Sequence, residues 1–411
     1  MRNQIFGQYL PEQNEFESMR YFLTLTLCLQ FAVFSAFSTT ITGTVIDAAS
    51  GKPLESATVF LSGTTFGAIT RTDGSFTLNF TPSGSSQFVI AHLGYQTYTK
   101  NVSEIPLDQP LKVELQIRSL QLSTVSVIGY DSNRKKNMAE FIFGFFGDSE
   151  CGKKCTILNP NVIHLERRFI PGKIGQDELI AYADSNLIIE NKSLGYTIRY
   201  TLESFNQTKY STIFKGYPLF MDNLSKIKNK ERIQENRERA YQGSQMHFFR
   251  SLFNKTLQQD GFQIFKIEKQ KHINLLGNSY GLMADTVFVP EPSQHMVQTE
   301  IQLNLYNNLY LMEKTAALDF KSPFEIRYTL NGEDRAYRNN SIYHIGMKRN
   351  LGQQTTIVTI LENPLVFYPN GSLKNAGNIV TIGYWSFKRV GEIMPWDYQP
   401  PKTSKEVVTL H

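Results

Sequence analysis

Metal chemistry in this chain would have to begin at its seven histidines, His92, His164, His247, His272, His295, His344 and His411. A zinc hydrolase of the peptidase kind holds its metal with a His and a Glu three residues apart plus a distant His, and leaves one position to water. None of these histidines has Glu at the third position after it. His164 and Glu166 would share a face on a strand, but nothing beside them completes a ligand set. Nucleophilic chemistry has no better footing. A G-x-S-x-G spacing occurs at Gly277-Asn278-Ser279-Tyr280-Gly281, but no helix pattern follows it to make a nucleophile elbow, and no reactive cysteine is set against a candidate base. Glu333 and Asp334 follow Asn331-Gly332 in a polar turn, where solvation is the simpler role. Spacing therefore assigns no catalytic residue, no metal ligand and no cofactor. A site built from residues distant in sequence stays open, because such partners meet only in the fold.

The glycines of the stretch from Gly43 to Phe76 raise the question of a phosphate cradle. Such a loop must run into a helix whose N-terminal amides face the anion. Here each glycine lies between two segments of alternating polarity, so these are turn glycines, with Gly51 and Gly74 suited to positive φ. The block Tyr384, Trp385 and Phe387, with Trp396 and Tyr398, holds both tryptophans. These rings could close a core or face a sugar or a protein partner. Lys226 to Arg239 is rich in bases, but interleaved acids favour a solvated helix face over contact with anionic lipid.

The elements that must position these residues are mostly strands. Aromatics make up 12% of the 411 residues, from 29 Phe and 20 Tyr, which favours β structure. Alternation marks strands at Ile41–Val45, Ala57–Leu61, Ser75–Phe80, Gln87–Ala91 and Leu111–Leu115, cut by turn clusters such as Ser50-Gly51-Lys52-Pro53 and Thr72-Asp73-Gly74. Short strands at this spacing with no helix between them predict an antiparallel β-sandwich over 39–130. A polar, basic linker is expected at 131–136. A larger β-rich domain follows over 137–411, with a hairpin over Leu187–Tyr200 and strands in 300–311, 324–330 and 355–361. One long helix is expected over 227–259, with Phe249, Leu252, Phe253 and Leu257 on one face, Gly261 past its end and Gly243 as a point of bending. The fold class is mainly β.

The N-terminus reads as an export address. Tyr21 to Phe37 is a short apolar run after Met19-Arg20, ended by Ala36-Phe37-Ser38. Glu12, Glu15 and Glu17 precede it and are foreign to a leader, so translation is expected to start at Met19, with residues 1–18 a mis-assigned start and 19–38 the signal peptide. A retained membrane anchor is the alternative. No later segment reaches about 18 uninterrupted apolar residues, so no transmembrane helix is expected after cleavage, although a closed barrel leaves weaker traces. The net charge of +5 is mild and scattered, which excludes a nucleic-acid footprint. With Cys28 in the leader, Cys151 and Cys155 are the mature cysteines. C-x3-C in an oxidising compartment suggests a small disulfide, with Cα atoms about 6 Å apart if helical, and two free thiols as the alternative.

Gly43-x-Val45-x-Asp47, Ser50-Gly51-x-Pro53-Leu54, Ala57-x-Val59, Gly63-Thr64, Gly67, Thr70-x3-Gly74-x-Phe76 and Leu93-Gly94-Tyr95 together resemble the carboxypeptidase regulatory-like domain. That transthyretin-like sandwich also heads many TonB-dependent receptors, and Leu122 to Tyr130 is similar to the tail that follows it there. The chain departs at Arg71, where the family usually has Asp. The resemblance implies a fold and an envelope compartment, and a domain without catalytic residues. Farther on, Cys155-x-Ile157-Leu158-Asn159-Pro160, Leu194-Gly195-Tyr196-x-Ile198-x-Tyr200, the block from Tyr241 to Leu252, Gly383-Tyr384-Trp385 and Pro395-x-Asp397-Tyr398 resemble uncharacterised secreted proteins with the same N-terminal domain. The expectation is an exported, non-catalytic protein of the periplasm or outer membrane, acting in binding or assembly with an envelope protein or glycan partner. The alternative is a hydrolase with its site in the second domain.

Overall fold

A computed structural model describes residues 38–82, 84, 87–118, 133–169, 177–209, 211–269, 284–288, 296–340, 343 and 352–401. The expected leader, His272, His295, His344, His411 and most of the tail after the sandwich lie outside these residues. The chain divides into two compact units, Met1–Thr39 with Phe80–Pro82, and Thr40–Asn79 with Ser83–His411. Of the first, the described residues are 38, 39 and 80–82.

Alternation builds the sandwich. Strand β1 (Thr39–Asp47) turns Ile41, Gly43 and Val45 inward and Thr40, Thr42 and Thr44 outward. It is followed by β2 (Thr58–Leu61), β3 (Gly67–Ile69), β4 (Ser75–Phe80), β5 (Gln87–Ala91), β6 (Tyr98–Asn101) and β7 (Leu111–Leu115). Two sheets result, β4-β1-β7 and β3-β2-β5-β6. An antiparallel sandwich was expected, but β1 and β7 run parallel, from Gly43 opposite Leu111 to Asp47 opposite Leu115. Gly43 makes that approach feasible, since a Cβ there would sit 2.2 Å from the Leu111 carbonyl oxygen. Asp47 closes the first turn by accepting from Ala49 N, Ser50 N and the Tyr95 hydroxyl.

The larger domain follows with α1 (Arg134–Phe146), β8 (Cys155–Ile157), β9 (Ile163–Phe169), β10 (Asp177–Ala183), β11 (Leu187–Asn191), β12 (Tyr196–Gln207) and β13 (Ser211–Asp222). Then come α2 (Lys230–Tyr241), α3 (Gln245–Asn254), β14 (Phe262–Lys269), β15 (Ala284–Phe288), β16 (Met296–Gln302), β17 (Leu309–Leu311), β18 (Ala316–Leu318) and β19 (Phe324–Tyr328). The rest are α4 (Arg335–Asn339), β20 (Gln354–Ile360), β21 (Leu365–Phe367), β22 (Ile379–Gly383) and α5 (Tyr384–Lys388). A 12-stranded sheet runs β16-β14-β19-β20-β22-β15-β13-β12-β10-β9, with β11 and β8 branching from β12, and β17-β18-β21 form a small separate sheet. The fold is mainly β, as its alternating segments predict. No helix among the described residues is long and apolar enough to cross a membrane.

Two cores hold the large sheet. In the first, the aromatic run of α1 packs on β12 and β13, with the Phe145 ring 5.0 Å from Tyr200 and 5.3 Å from Phe214. In the second, Phe248, Phe249 and Leu252 of α3 pack on Phe262, Phe324 and Phe367. The hairpin over Leu187–Tyr200 forms, with Leu187 opposite Tyr200 and Asn191 opposite Tyr196.

Three expectations need correcting. The segment read as a linker at 131–136 already belongs to α1 from Arg134, whose guanidinium holds the Ile163 carbonyl oxygen. The alternating run at 300–311 is not one strand. It breaks after Gln302 into a helical turn at Leu305–Asn308, where the Asn304 side chain accepts from Tyr306 N. The single helix of 227–259 is two. Gly243 takes φ +73°, Ser244 caps α3 by accepting from His247 N, and Lys255 ends α3 in a left-handed conformation, short of Gly261. A Cβ at Gly243 would meet Gln354 Oε1 at 2.5 Å and the Tyr328 ring at 2.7 Å. Gly243→Ala is therefore expected to lower stability by about 2 kcal/mol. The reading is a reduced urea midpoint at unchanged slope.

Candidate functional site: a clasped turn and two pockets

The turn at Gly63-Thr64-Thr65, one of the sandwich motifs, reaches the large sheet. Gly63 N donates to the Pro218 carbonyl oxygen at 2.6 Å, and Phe220 N donates to that of Thr64 at 2.9 Å. These bonds occupy the half of β13 beyond its pairing with β15, so the turn covers a sheet edge. On its other side, Trp396 N donates to the Gly63 carbonyl oxygen at 2.7 Å, and Asp397 accepts from Thr65 N and from the Thr65 hydroxyl.

Buried arginines fix the segments around the turn. Arg250 of α3 donates from Nε to the Asn370 carbonyl oxygen and from its two Nη atoms to those of Tyr398 and Trp396, all at 2.9–3.0 Å. Arg237 of α2 lies over the Tyr196 ring at 3.9 Å. It donates to the Leu194 carbonyl oxygen and makes a two-pronged pair with Asp222 at 2.9 and 2.7 Å. Burial alone would push the Asp222 carboxyl up, but the Arg237 hydrogen bonds and charge bring it below its ordinary value. Arg389 has a left-handed φ of +22° and donates to the carbonyl oxygens of Gly144 and Ser386.

Two pockets open beside this arrangement. An apolar chamber of about 150 Å³ is walled by Phe214, Phe220, Met246, Trp385, Met394 and Trp396. A polar pocket of about 330 Å³ is lined by Tyr196, Asp222, Arg237, Asp397, Tyr398 and Gln399, among others. A third, open cleft of about 560 Å³ has Glu150, Cys151, Arg239 and the buried Lys388–Glu392 pair, 2.8 Å apart, along its wall.

The four aromatic residues singled out in the sequence separate. Trp385 and Trp396 both line the chamber, Trp385 with its Nε1 donating to the Gly243 carbonyl oxygen at 2.8 Å. Tyr398 faces the polar pocket. Tyr384 is buried among Tyr337, Tyr343 and Phe387, and its hydroxyl donates to Asp334 at 2.9 Å, so Asp334 has a structural partner where the sequence suggested solvent. His164 and Glu166 both lie on β9, but His164 pairs with Asp184 and Glu166 with Arg168. Among the described residues no three His, Cys, Asp or Glu side chains converge as a metal-holding group. The arginines and Asp222 were not foreseen. The one available signal was Arg250, a cation on the apolar face of α3 between Phe249 and Leu252.

Cys151 and Cys155 are free thiols, and Cys155 Sγ donates to the Cys151 carbonyl oxygen at 3.4 Å. A helical turn at Gly152–Lys154 separates them, and Cys155 leaves it as the first residue of β8. Burial, then the Glu392 charge, pushes Cys151 up to about 11, and burial pushes Cys155 up to about 12. In the reduced protein both are expected to react with a thiol reagent at pH 8 at least about 100-fold more slowly than free cysteine. Rates like those of exposed thiols would contradict the packing.

A two-sheet N-terminal sandwich whose Gly63–Thr65 turn bonds to a 12-stranded sheet makes this a mainly-β protein with two pockets beside the turn. Residues 41–128 match the family model of the CarboxypepD_reg-like domain. Among solved structures, the chain is similar to a protein from Bacteroides fragilis NCTC 9343, described as membrane-associated and of unknown function. The identity is 8% and the TM-score 0.16, over 84% of this chain and 97% of that one. Comparison with curated proteins gives no match.

Proposed function

We propose that the protein is an exported, non-catalytic envelope component that binds a partner or ligand at the pockets beside the Gly63–Thr65 turn. The observation that carries this reading is the engagement of both carboxylates in the polar pocket. Asp222 is held ionised by Arg237, and Asp397 is tied to Thr65. A general acid needs a carboxyl poised to carry a proton, the opposite of a carboxylate locked to a guanidinium. His247, half-buried at the start of α3, is held down at about 4 by desolvation and accepts from Gly243 N, an arrangement that orders the loop between α2 and α3.

Export and an envelope location are part of the same proposal. They are supported by the leader-like sequence and by the CarboxypepD_reg-like match, a domain type that resembles the one heading TonB-dependent receptors. N-terminal sequencing of the exported protein is expected to begin at Thr39, and a mature chain still carrying Gln13 would refute it. The division into domains at 39–130 and 137–411 is likewise proposed. After a protease cut between them, the two fragments are expected to stay associated through the Gly63–Thr65 bonds. That export oxidises the two free thiols of Cys151 and Cys155 to a disulfide is also proposed, and intact mass after alkylation, with and without reductant, decides it. The functional test is capture of partners from envelope extracts by the tagged mature protein, alongside assays for hydrolysis of peptides and glycans. Turnover that disappears in Asp397→Asn would overturn the non-catalytic reading.

A further inference from the structure

We propose that the polar pocket binds a neutral, hydroxyl-rich ligand, a glycosyl unit. This deepens the reading of the protein as a binder and rests on it.

The size of the pocket, about 330 Å³, lies at the lower end of small-molecule sites and suits about one or two sugar rings. Its charges are already matched inside the protein. Arg237 directs its Nε at the Leu194 carbonyl oxygen, one Nη at that of Gly195, and both Nη atoms at Asp222. No strong cation is left for an anionic ligand, and two carboxylates on the wall would repel one. A cationic ligand gains little, because Asp222 is neutralised by Arg237 and Asp397 already accepts two hydrogen bonds from Thr65.

What the pocket retains is hydrogen-bonding capacity without net demand for charge. Asp222 and Asp397 keep unoccupied lone pairs, since each carboxylate offers about four acceptor sites. The Tyr196 and Tyr398 hydroxyls, both in the pocket lining, donate to no group among the described residues. Gln399 and Gln234 bring exposed amides. Carboxylate acceptors, phenol donors and amides that do both, set in one concavity, match the alternating donors and acceptors of vicinal hydroxyls. Leu224, Pro395 and Pro401 supply an apolar strip against which the C–H face of a ring can lie.

The pocket is also rigid where it matters. Arg250 holds the Tyr398 carbonyl oxygen, Tyr398 N donates to that of Pro395 at 2.8 Å, and Arg237 covers the Tyr196 ring. Little ordering is left to be done on binding.

The test is calorimetric titration of the full mature protein with glucose, galactose, mannose, maltose and cellobiose. At least one is expected to bind saturably, with Kd below about 10 mM. Tyr196→Phe with Tyr398→Phe should weaken that binding at least about tenfold while leaving the unfolding temperature in place, because neither hydroxyl serves the fold. Gln399→Ala, on an exposed side chain, should weaken it in the same direction and stands in if the double variant fails to fold. Absence of saturable binding for all five sugars, or wild-type affinity in the variants, overturns the inference. Capture of an envelope protein by a chain that ignores these sugars would refute the ligand class and leave the binding reading standing. Cleavage of a bound disaccharide would do the reverse, keeping the ligand class and refuting the non-catalytic reading.

Discussion

Arg250→Met is expected to lower the free energy of unfolding by about 3–5 kcal/mol. Methionine keeps the length of the stem and its packing, so the change isolates the guanidinium. Arg250 is 8% exposed as a residue, and its guanidinium supplies a donor to each of three carbonyl oxygens, on Asn370, Trp396 and Tyr398. A buried acceptor left without its donor costs about 1–3 kcal/mol, and three are left at once. The loss should fall on function as well, because Trp396 walls the chamber while Asp397 and Tyr398 wall the polar pocket. Changed tryptophan emission is expected from the release of Trp396. Arg250→Lys should recover only part of the stability, since one ammonium cannot fan out to three carbonyls in different directions. Denaturant unfolding measures all three proteins. A methionine variant within about 1 kcal/mol of wild type would show that the segment is held by other contacts.

Stability is expected to fall by about 3 kcal/mol as the pH drops from about 6.5 to about 4, through His247 alone. Burial is the main cause of its depression to about 4, with Arg250 pushing the same way and Asp260 opposing. The ring is enclosed by Tyr241 at 4.7 Å and Phe262 at 4.9 Å, and Nδ1 accepts from Gly243 N at 3.1 Å. The folded pKa is the lower one, so between the two values the unfolded chain binds the proton and the folded chain does not. The contribution is complete above pH about 6.5, is lost as the pH falls toward 4, and is constant below. Carboxylates extend the loss at lower pH, Asp47 among them, which four hydrogen bonds, led by that from Tyr95 and followed by those from Ser50 and Ala49, hold at about 2. The window from pH 6.5 to 5 is nearly free of them. His247→Gln should therefore flatten the pH dependence in that window, and an unchanged slope would assign it elsewhere.

The N-terminal sandwich was readable because its strands alternate with period two and their turns carry glycine. Each of those signals acts within a few residues, so Ser75–Phe80 and Leu111–Leu115 could be placed before any partner was known. The strands β3 and β6 span three and four residues and bury none of them, so unlike the equally short β2 they carry no apolar pattern to be seen. Gly243 was visible as a point of weakness in the helix, but the break there also needs Gln354 and Tyr328, which arrive from distant strands to fill the space a Cβ would take.

The sequence by itself determined a mainly β fold and the likeness of the N-terminal region to the CarboxypepD_reg-like domain. These are properties of short-range pattern. Only the tertiary structure decided where the chemistry-bearing side chains go. Arg237 meets Asp222 across 15 residues, Arg250 meets Trp396 across 146, and Thr65 meets Asp397 across 332. Pairings so distant are set by which sheet edges and helix faces bury one another, and they leave no periodicity along the chain. The tryptophans show the same division. Their clustering near the C-terminus was plain, but the turn at Gly63 and the guanidinium of Arg250 place Trp396 in the chamber wall, because a buried backbone must find its hydrogen bonds wherever the fold supplies them.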